Sequence, residues 1–345
     1  MLDKIEEHFI LVDKCAGEIR IAEVKNRKLL KYICWPETNP PIIGNIYEAN
    51  ILKKLNGGVV RASLKDQNIL TVRGVPKNIK SNSKIDVVIT SEKFDDKPIQ
   101  AKIFSGNILD FKKLSAEERI IDLFFTKNLP ITEDHYAIYW DLLNLDKFFL
   151  DALKQSVEIK DGGILWIEKT KAATLIDIDT KNLFLNSDNA NIEFCKKAFF
   201  KCIEEIKLRN IGGMIIVDFP RLSFENKKLL NEYILKKGKD FFPEGSFLGF
   251  SRLQLYELYI PRNFAPLESY YKGEMDFEFQ NHLRSLWRKS KDAKTKNNIQ
   301  FICGKTLYKK IVNQKLPPFI KIIQRSDLPN EYGELMDISK CIKIR

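Results

Sequence analysis

Two stretches decide how this chain reads: KAATLIDID at residues 171–179 and GGMIIVDFP at residues 212–220. Each is apolar until it reaches a carboxylate, the pattern of a buried strand ending where a charge can be held at the edge of a sheet. Two such ends side by side would bring Asp177 and Asp218 together as a donor pair made of oxygen alone. A hard divalent cation such as Mg²⁺ prefers oxygen ligands, commonly takes one or two carboxylates, and keeps water in its other positions. The same residues have a plainer reading, because Asp favours turns and helix caps, so an Asp after a strand can be punctuation. Pattern alone leaves both open.

The rest of the composition narrows the class. A chain of 345 residues has room for two or three cores, and 44% hydrophobic with 30% charged residues is the balance of a globular protein. No apolar run approaches the ~20 residues of a membrane span. The opening MLDKIEEHFILV mixes charge into what would have to be a signal peptide's apolar core, so a cytoplasmic protein with no membrane association is expected. Lys and Arg number 57 against 46 Asp and Glu, a net charge of +11 that suits a polyanionic partner, since phosphates neutralised by cations release counterions. The six cysteines, Cys15, Cys34, Cys195, Cys202, Cys303 and Cys341, form no CxxC pair, and His8, His135 and His282 have no metal-ligand spacing. Cys195 and Cys202 fall on one face of a helical pattern with Ala198, Phe199, Ile203 and Ile206, which makes them core residues.

Along the chain, short alternating strands fill residues 1–35, and WPETNPP marks a domain seam. Five or so strands between Ile42 and Ile103, separated by Gly, Asn and Lys turns, fit a small OB-type barrel. Ser115 and Glu118 have capping-box spacing ahead of a helix, and a second helix is expected over Asp146–Gln155. DGG at 161–163 turns a hairpin into the first aspartate strand. Residues Ile192–Leu208 are the clearest helix, and Ser223 caps another that should stop at Gly238. The last 70 residues read as less regular and more basic, with the run RKSKDAKTK at 288–296 as a solvated face or an RNA contact.

Four of these stretches resemble the ribonuclease E/G family, in family order. LRNIGGMIIVDF at 208–219 is similar to its LR(D/N)(I/L)GG(I/L)I(V/I)IDF signature, and GGILWIEKTKAATLIDIDT at 162–180 to its GG(Y/S)L(I/V)ID(Q/S)TEA(L/M)T(A/S)IDVNTG segment. PPIIGNIYEANI at 40–51 resembles IVGNIYKGRV, which opens the family's OB-fold insertion, and GFSRLQLYEL at 249–258 resembles GFSxLGLVEM. The resemblance implies an α+β multidomain chain: a reduced ribonuclease-H-like platform (1–40 and 115–156), an inserted OB-fold RNA-binding barrel (41–104), a deoxyribonuclease-I-like catalytic domain (157–275) and a basic C-terminal region (276–345). It implies a Mg²⁺-dependent endoribonuclease acting on single-stranded RNA, with a catalytically impaired RNA-binding protein as the alternative.

By position, Asp177 and Asp218 match the family's magnesium ligands, and Asp179 stands where the family has an asparagine in the catalytic site. Tyr47, Lys53 and Lys102 match RNA-binding positions of the barrel, with Tyr47 open equally to being a strand residue packed inside it. Arg209 and Arg252, retained in the family strings, are candidate phosphate clamps, or else salt bridges that pin adjacent strands. The departures are as specific. Residues 104–128 leave no room for the family's sensor of a 5′ monophosphate, and the CPxCxG zinc link is missing after Arg262, so no zinc-linked tetramer is expected. Glu48 replaces a lysine, Lys181 replaces the glycine after the first aspartate motif, and Cys195-Lys196-Lys197-Ala198 stands opposite Asn-Leu-Glu-Ala. The barrel has lost its stacking aromatics, and weak binding of RNA by charge is the consequence expected.

Overall fold

A computed structural model describes residues 7–15, 18–36, 42–93, 98–106, 115–134, 138–160, 162–181, 187–262, 264–270, 277, 280–281, 284, 299–312, 320–330 and 332–337. The run at 288–296, His135 and Cys341 lie outside them. The first strands, β1 (His8–Cys15), β2 (Glu18–Lys25) and β3 (Lys28–Pro36), form an antiparallel meander, and β9 (Ile131–Glu133) adds a parallel edge beside β1. Helices α2 (Ile138–Leu142) and α3 (Leu145–Leu153) bury Trp140, Leu145 and Phe149 against Phe9, Leu11 and Tyr32 of this sheet. Arg20 is buried in that core, where paired charges offset its desolvation. Arg20 pairs with Asp13 and lies 3.9 Å from the Trp140 ring centre, while the Trp140 indole donates to Asp146 at 2.7 Å.

Between the meander and β9 the chain builds the expected barrel. Strands β4 (Ile46–Lys54), β5 (Val59–Ser63), β6 (Ile69–Arg73), β7 (Lys84–Ser91) and β8 (Ile99–Ile103) close in the order β4-β5-β6-β8-β7, as in an OB-type barrel. Alternation puts Ala49, Ile51, Ala62, Leu70, Val72 and Val87 inside it. Helix α1 (Ala116–Phe124) follows with the full capping box, Ser115 Oγ accepting from Glu118 N at 3.2 Å and Glu118 Oε2 accepting from Ser115 N at 2.7 Å. Arg119 of α1 donates to the Gly44 carbonyl at 3.0 Å, and the Glu92 carboxylate after β7 accepts from Ala265 N at 3.2 Å. These two bonds fasten the barrel to the rest of the molecule.

The largest unit is a six-stranded sheet, β10 (Ser156–Glu158), β11 (Ile164–Lys169), β12 (Ala173–Asp179), β13 (Gly213–Asp218), β14 (Ser246–Phe250) and β15 (Tyr256–Ile260), in the order β10-β11-β12-β13-β15-β14. The neighbours β12 and β13 run parallel and are joined by a crossover helix, α4 (Asp188–Leu208), while the other neighbours in the sheet are antiparallel. Helix α5 (Phe224–Phe241) joins α4 on the same face, where Leu165, Ile176, Ile215 and Leu258 meet Phe199, Ile203 and Ile234. Cys195 and Cys202 are buried there, as their spacing requires.

Two expectations need correcting. Gly238 does not end its helix, which runs on to Phe241; it is buried against β14, and a Cβ there would fall 2.2 Å from the Phe247 ring. The described residues from Ile299 onward are more regular than expected. Strands β16 (Ile299–Cys303), β17 (Ile320–Gln324) and β18 (Gly333–Asp337) form a small sheet in the order β17-β16-β18, with α6 (Lys305–Ile311) between its first two strands. No helix among the described residues is long and apolar enough to cross a membrane.

Candidate functional site

Strand register sets the site. Asp177 and Asp218 are direct partners in the parallel β12–β13 pair, so their carboxylates leave the sheet from adjacent strands ~4.8 Å apart. They also leave on the same side. Ile176, Ile178, Ile215 and Val217 point into the helix-covered core, which turns Asp177 and Asp218 to the opposite, open face, where both are exposed. Asp179 shares that face two residues further on, but one of its oxygens already accepts from Lys181 N at 2.7 Å. Asp179 is thus the turn-forming residue of the three.

The crowding of acids has an electrostatic cost. Partial burial together with the charges of Asp218, Asp179 and Glu168 pushes the Asp177 carboxyl above its ordinary value, so a cation bound there would relieve repulsion. An all-oxygen pair with open space in front of it fits a hydrated Mg²⁺ ion, which needs only one or two protein carboxylates. Among the described residues no group of three or more His, Cys, Asp and Glu is placed to hold a metal.

A residue that the motifs did not single out stands beside the pair. Trp166 of β11 is the register partner of Asp177 and is 40% exposed on the open face. Strand alternation in ILWIE held the signal, because Leu165 and Ile167 must both face the core and so turn Trp166 outward.

The structure separates the two arginines. Arg252 lies in the exposed turn between β14 and β15; because Tyr256 pairs with Val217, that turn borders Asp218. Arg209 caps α4 at the opposite end of the sheet, where it is buried, donates to Glu205 at 2.8 Å and to the Lys154 carbonyl at 2.7 Å, and ties α4 to α3. This is the salt-bridge reading of Arg209. The glycine pair that follows it also has a packing reason, since a Cβ on Gly212 or Gly213 would strike Arg262, whose Nε donates to the Gly212 carbonyl at 2.6 Å.

The barrel residues do not converge on one surface. Tyr47 has the inward parity of Ala49 and Ile51, is half-buried against the core, and its hydroxyl accepts from Ile42 N at 3.1 Å. Lys53 and Lys102 are exposed on the outside of β4 and β8. Glu48 is balanced by Lys84 at 2.9 Å, so the exchanged charge has a local partner.

A six-stranded sheet that carries two strand-end carboxylates on its open face, attached to a small five-stranded barrel, defines a class of architecture before any comparison is made. Residues 108–259, which hold that sheet almost entire, match the model of the Ribonuclease E/G family. Ribonuclease G of Salmonella typhimurium (strain SL1344) is 34% identical over 141 residues, 39% of this chain and 28% of that protein. Ribonuclease G of Escherichia coli (strain K12) is 35% identical over 127 residues, 34% of this chain and 25% of its own length. Ribonuclease E of Synechocystis sp. (strain ATCC 27184 / PCC 6803 / Kazusa) is 39% identical over 72 residues, 20% of this chain and 10% of the relative. Over residues 108–259 the chain is thus similar to the ribonuclease E/G family, and the match spans about a quarter of the length of the ribonuclease G relatives.

Proposed function

We propose that this chain is a Mg²⁺-dependent endoribonuclease that hydrolyses single-stranded RNA in RNA processing or decay. The observation that carries the reading is the register pairing of Asp177 with Asp218 on the open face of the sheet, inside the segment that matches the family. The six-stranded sheet is then the deoxyribonuclease-I-like catalytic domain, and the first sheet with its helices is the reduced ribonuclease-H-like platform.

Asp177 and Asp218 would hold the ion between two adjacent strands, whose hydrogen bonds fix the separation of the carboxylates. When bound, the ion supplies Lewis-acid polarisation of a phosphate oxygen and a more acidic water. Arg252, on the turn beside Asp218, would donate to a phosphate oxygen through its guanidinium fork. Trp166 offers a flat face to the base next to the cleaved bond, and such stacking contributes ~1–3 kcal/mol per base.

Incubating the purified chain with unstructured RNA in Mg²⁺, and again with excess EDTA, tests the reading. Internal cleavage that stops with EDTA is the expected result. RNA that is bound but stays intact under both conditions would replace it with the second reading, an RNA-binding protein that keeps the fold without the activity.

A further inference from the structure

Behind the aspartate edge, a groove of about 1130 Å³ runs from the β10–β11 turn along the exposed side of α4. Lys28, Lys160, Lys181, Lys196, Lys197 and Lys201 line it against Glu158, Glu193 and Glu204, an excess of three positive charges. Its floor is aromatic. Phe200 is 40% exposed, and Tyr233 lies beneath the Lys196 ammonium at 5.7 Å from the ring centre. Lysines around the exposed Phe200 ring are what a single strand needs, since the cations meet phosphates while the ring meets a base.

The groove reaches the end of β12 at Asp179, round the sheet edge from the open face that carries Asp177 and Asp218. Gly163 precedes Ile164, the register partner of Asp179, and Lys181 donates its backbone N–H to the Asp179 carboxylate at 2.7 Å. Lys181 holds a left-handed backbone, with φ of 52°, a conformation that suits the glycine the family carries there. Lys181, Lys196 and Lys197, the departures noted on either side of the α4 N-terminus, are far apart in family motif terms yet line one groove. The ion pair of Lys196 with Glu193 at 2.7 Å is partly solvated, so an incoming phosphate can compete with it, whereas Lys201 is held by the buried Glu205 at 2.8 Å.

We infer that this groove is a second track for single-stranded RNA, which grips the sugar-phosphate backbone as the strand passes the aspartate edge. The inference rests on the proposed function, and its test reads binding apart from cleavage. A fluorescent oligouridylate of ~20 nucleotides is titrated in EDTA over a salt series, with anisotropy as the readout. Each phosphate contact on a single strand contributes about −0.7 to the slope of log K against log salt. K181Q/K196Q/K197Q should therefore reduce the steepness by about 2 at unchanged melting temperature, and K181G alone by about 0.7 while melting no lower than the parent. E193Q should tighten binding.

A slope for the triple variant within about 0.3 of the parent's, well under one contact's worth, would overturn the track and assign these lysines to solvent or to a protein partner. If the parent cleaves RNA in Mg²⁺ while the triple variant keeps its slope, only the track fails. A parent that neither binds nor cleaves the oligonucleotide would sink the track together with the proposed function.

Discussion

Asp177, Asp218 and Asp179 differ in what their oxygens already hold. Asp179 has one oxygen committed to the Lys181 backbone, whereas Asp177 and Asp218 face each other across the parallel pair. Asp177→Asn and Asp218→Asn remove ligand charge at constant volume, so each should abolish RNA cleavage while leaving a cooperative thermal transition. Asp179→Asn should retain most of the activity, because an amide oxygen can still accept in the turn. Initial rates on one labelled oligonucleotide compare the three; an inactive Asp179→Asn beside an active Asp218→Asn would reverse the assignment. Glu92 makes a different kind of residue-scale prediction. Burial pushes its carboxyl from 4.5 up to about 7, so ionising it opposes folding. The stability this group allows is complete below pH 4.5 and is lost as pH rises through about 7. Glu92→Gln keeps an acceptor for Ala265 N–H and should flatten that dependence, making the variant the more stable protein at pH 8 in urea titrations run from pH 5 to pH 8.

At the scale of elements, helix α5 shows packing overruling propensity. Ala in place of Gly in a helix interior ordinarily stabilises by ~1 kcal/mol. Here the new methyl would lie 2.2 Å from the Phe247 ring, so α5 would have to lift off β14. Gly238→Ala should therefore destabilise by ~1–3 kcal/mol, read from thermal or urea unfolding, and adding Phe247→Leu should recover part of the loss. The C-terminal sheet teaches a related lesson. Strands β16 and β17 are short apolar runs separated by a helix and by further chain, and each is ambiguous until its partner is known. Local pattern was strongest where a cap chemistry or a long amphipathic face exists, as at Ser115, Ser223 and α4.

For the whole molecule, the barrel passes to α1 within a dozen residues, from Ile103 to Ala116. Cleavage should accordingly be nearly indifferent to whether the same oligonucleotide begins with a monophosphate, a triphosphate or a hydroxyl; a tenfold preference for the monophosphate would show that another surface senses the end. Much of the architecture was legible in the order of residues. Alternation with Gly and Asn turns marked the barrel, capping residues marked helix starts, and the two apolar runs ending in Asp marked the candidate site, because each signal depends on neighbours within a few positions. Which surface each side chain reaches was not legible in the same way. Arg209 and Arg252 come from similar family strings, yet one is buried in an ion pair at the far end of the sheet and the other borders Asp218. Trp166 became part of the site only through its register with Asp177, and lysines before a crossover helix met those on the helix only when it packed. Periodicity along the chain determines which face a residue takes, but register, crossover and burial are relations between distant segments, and only the tertiary structure decides those.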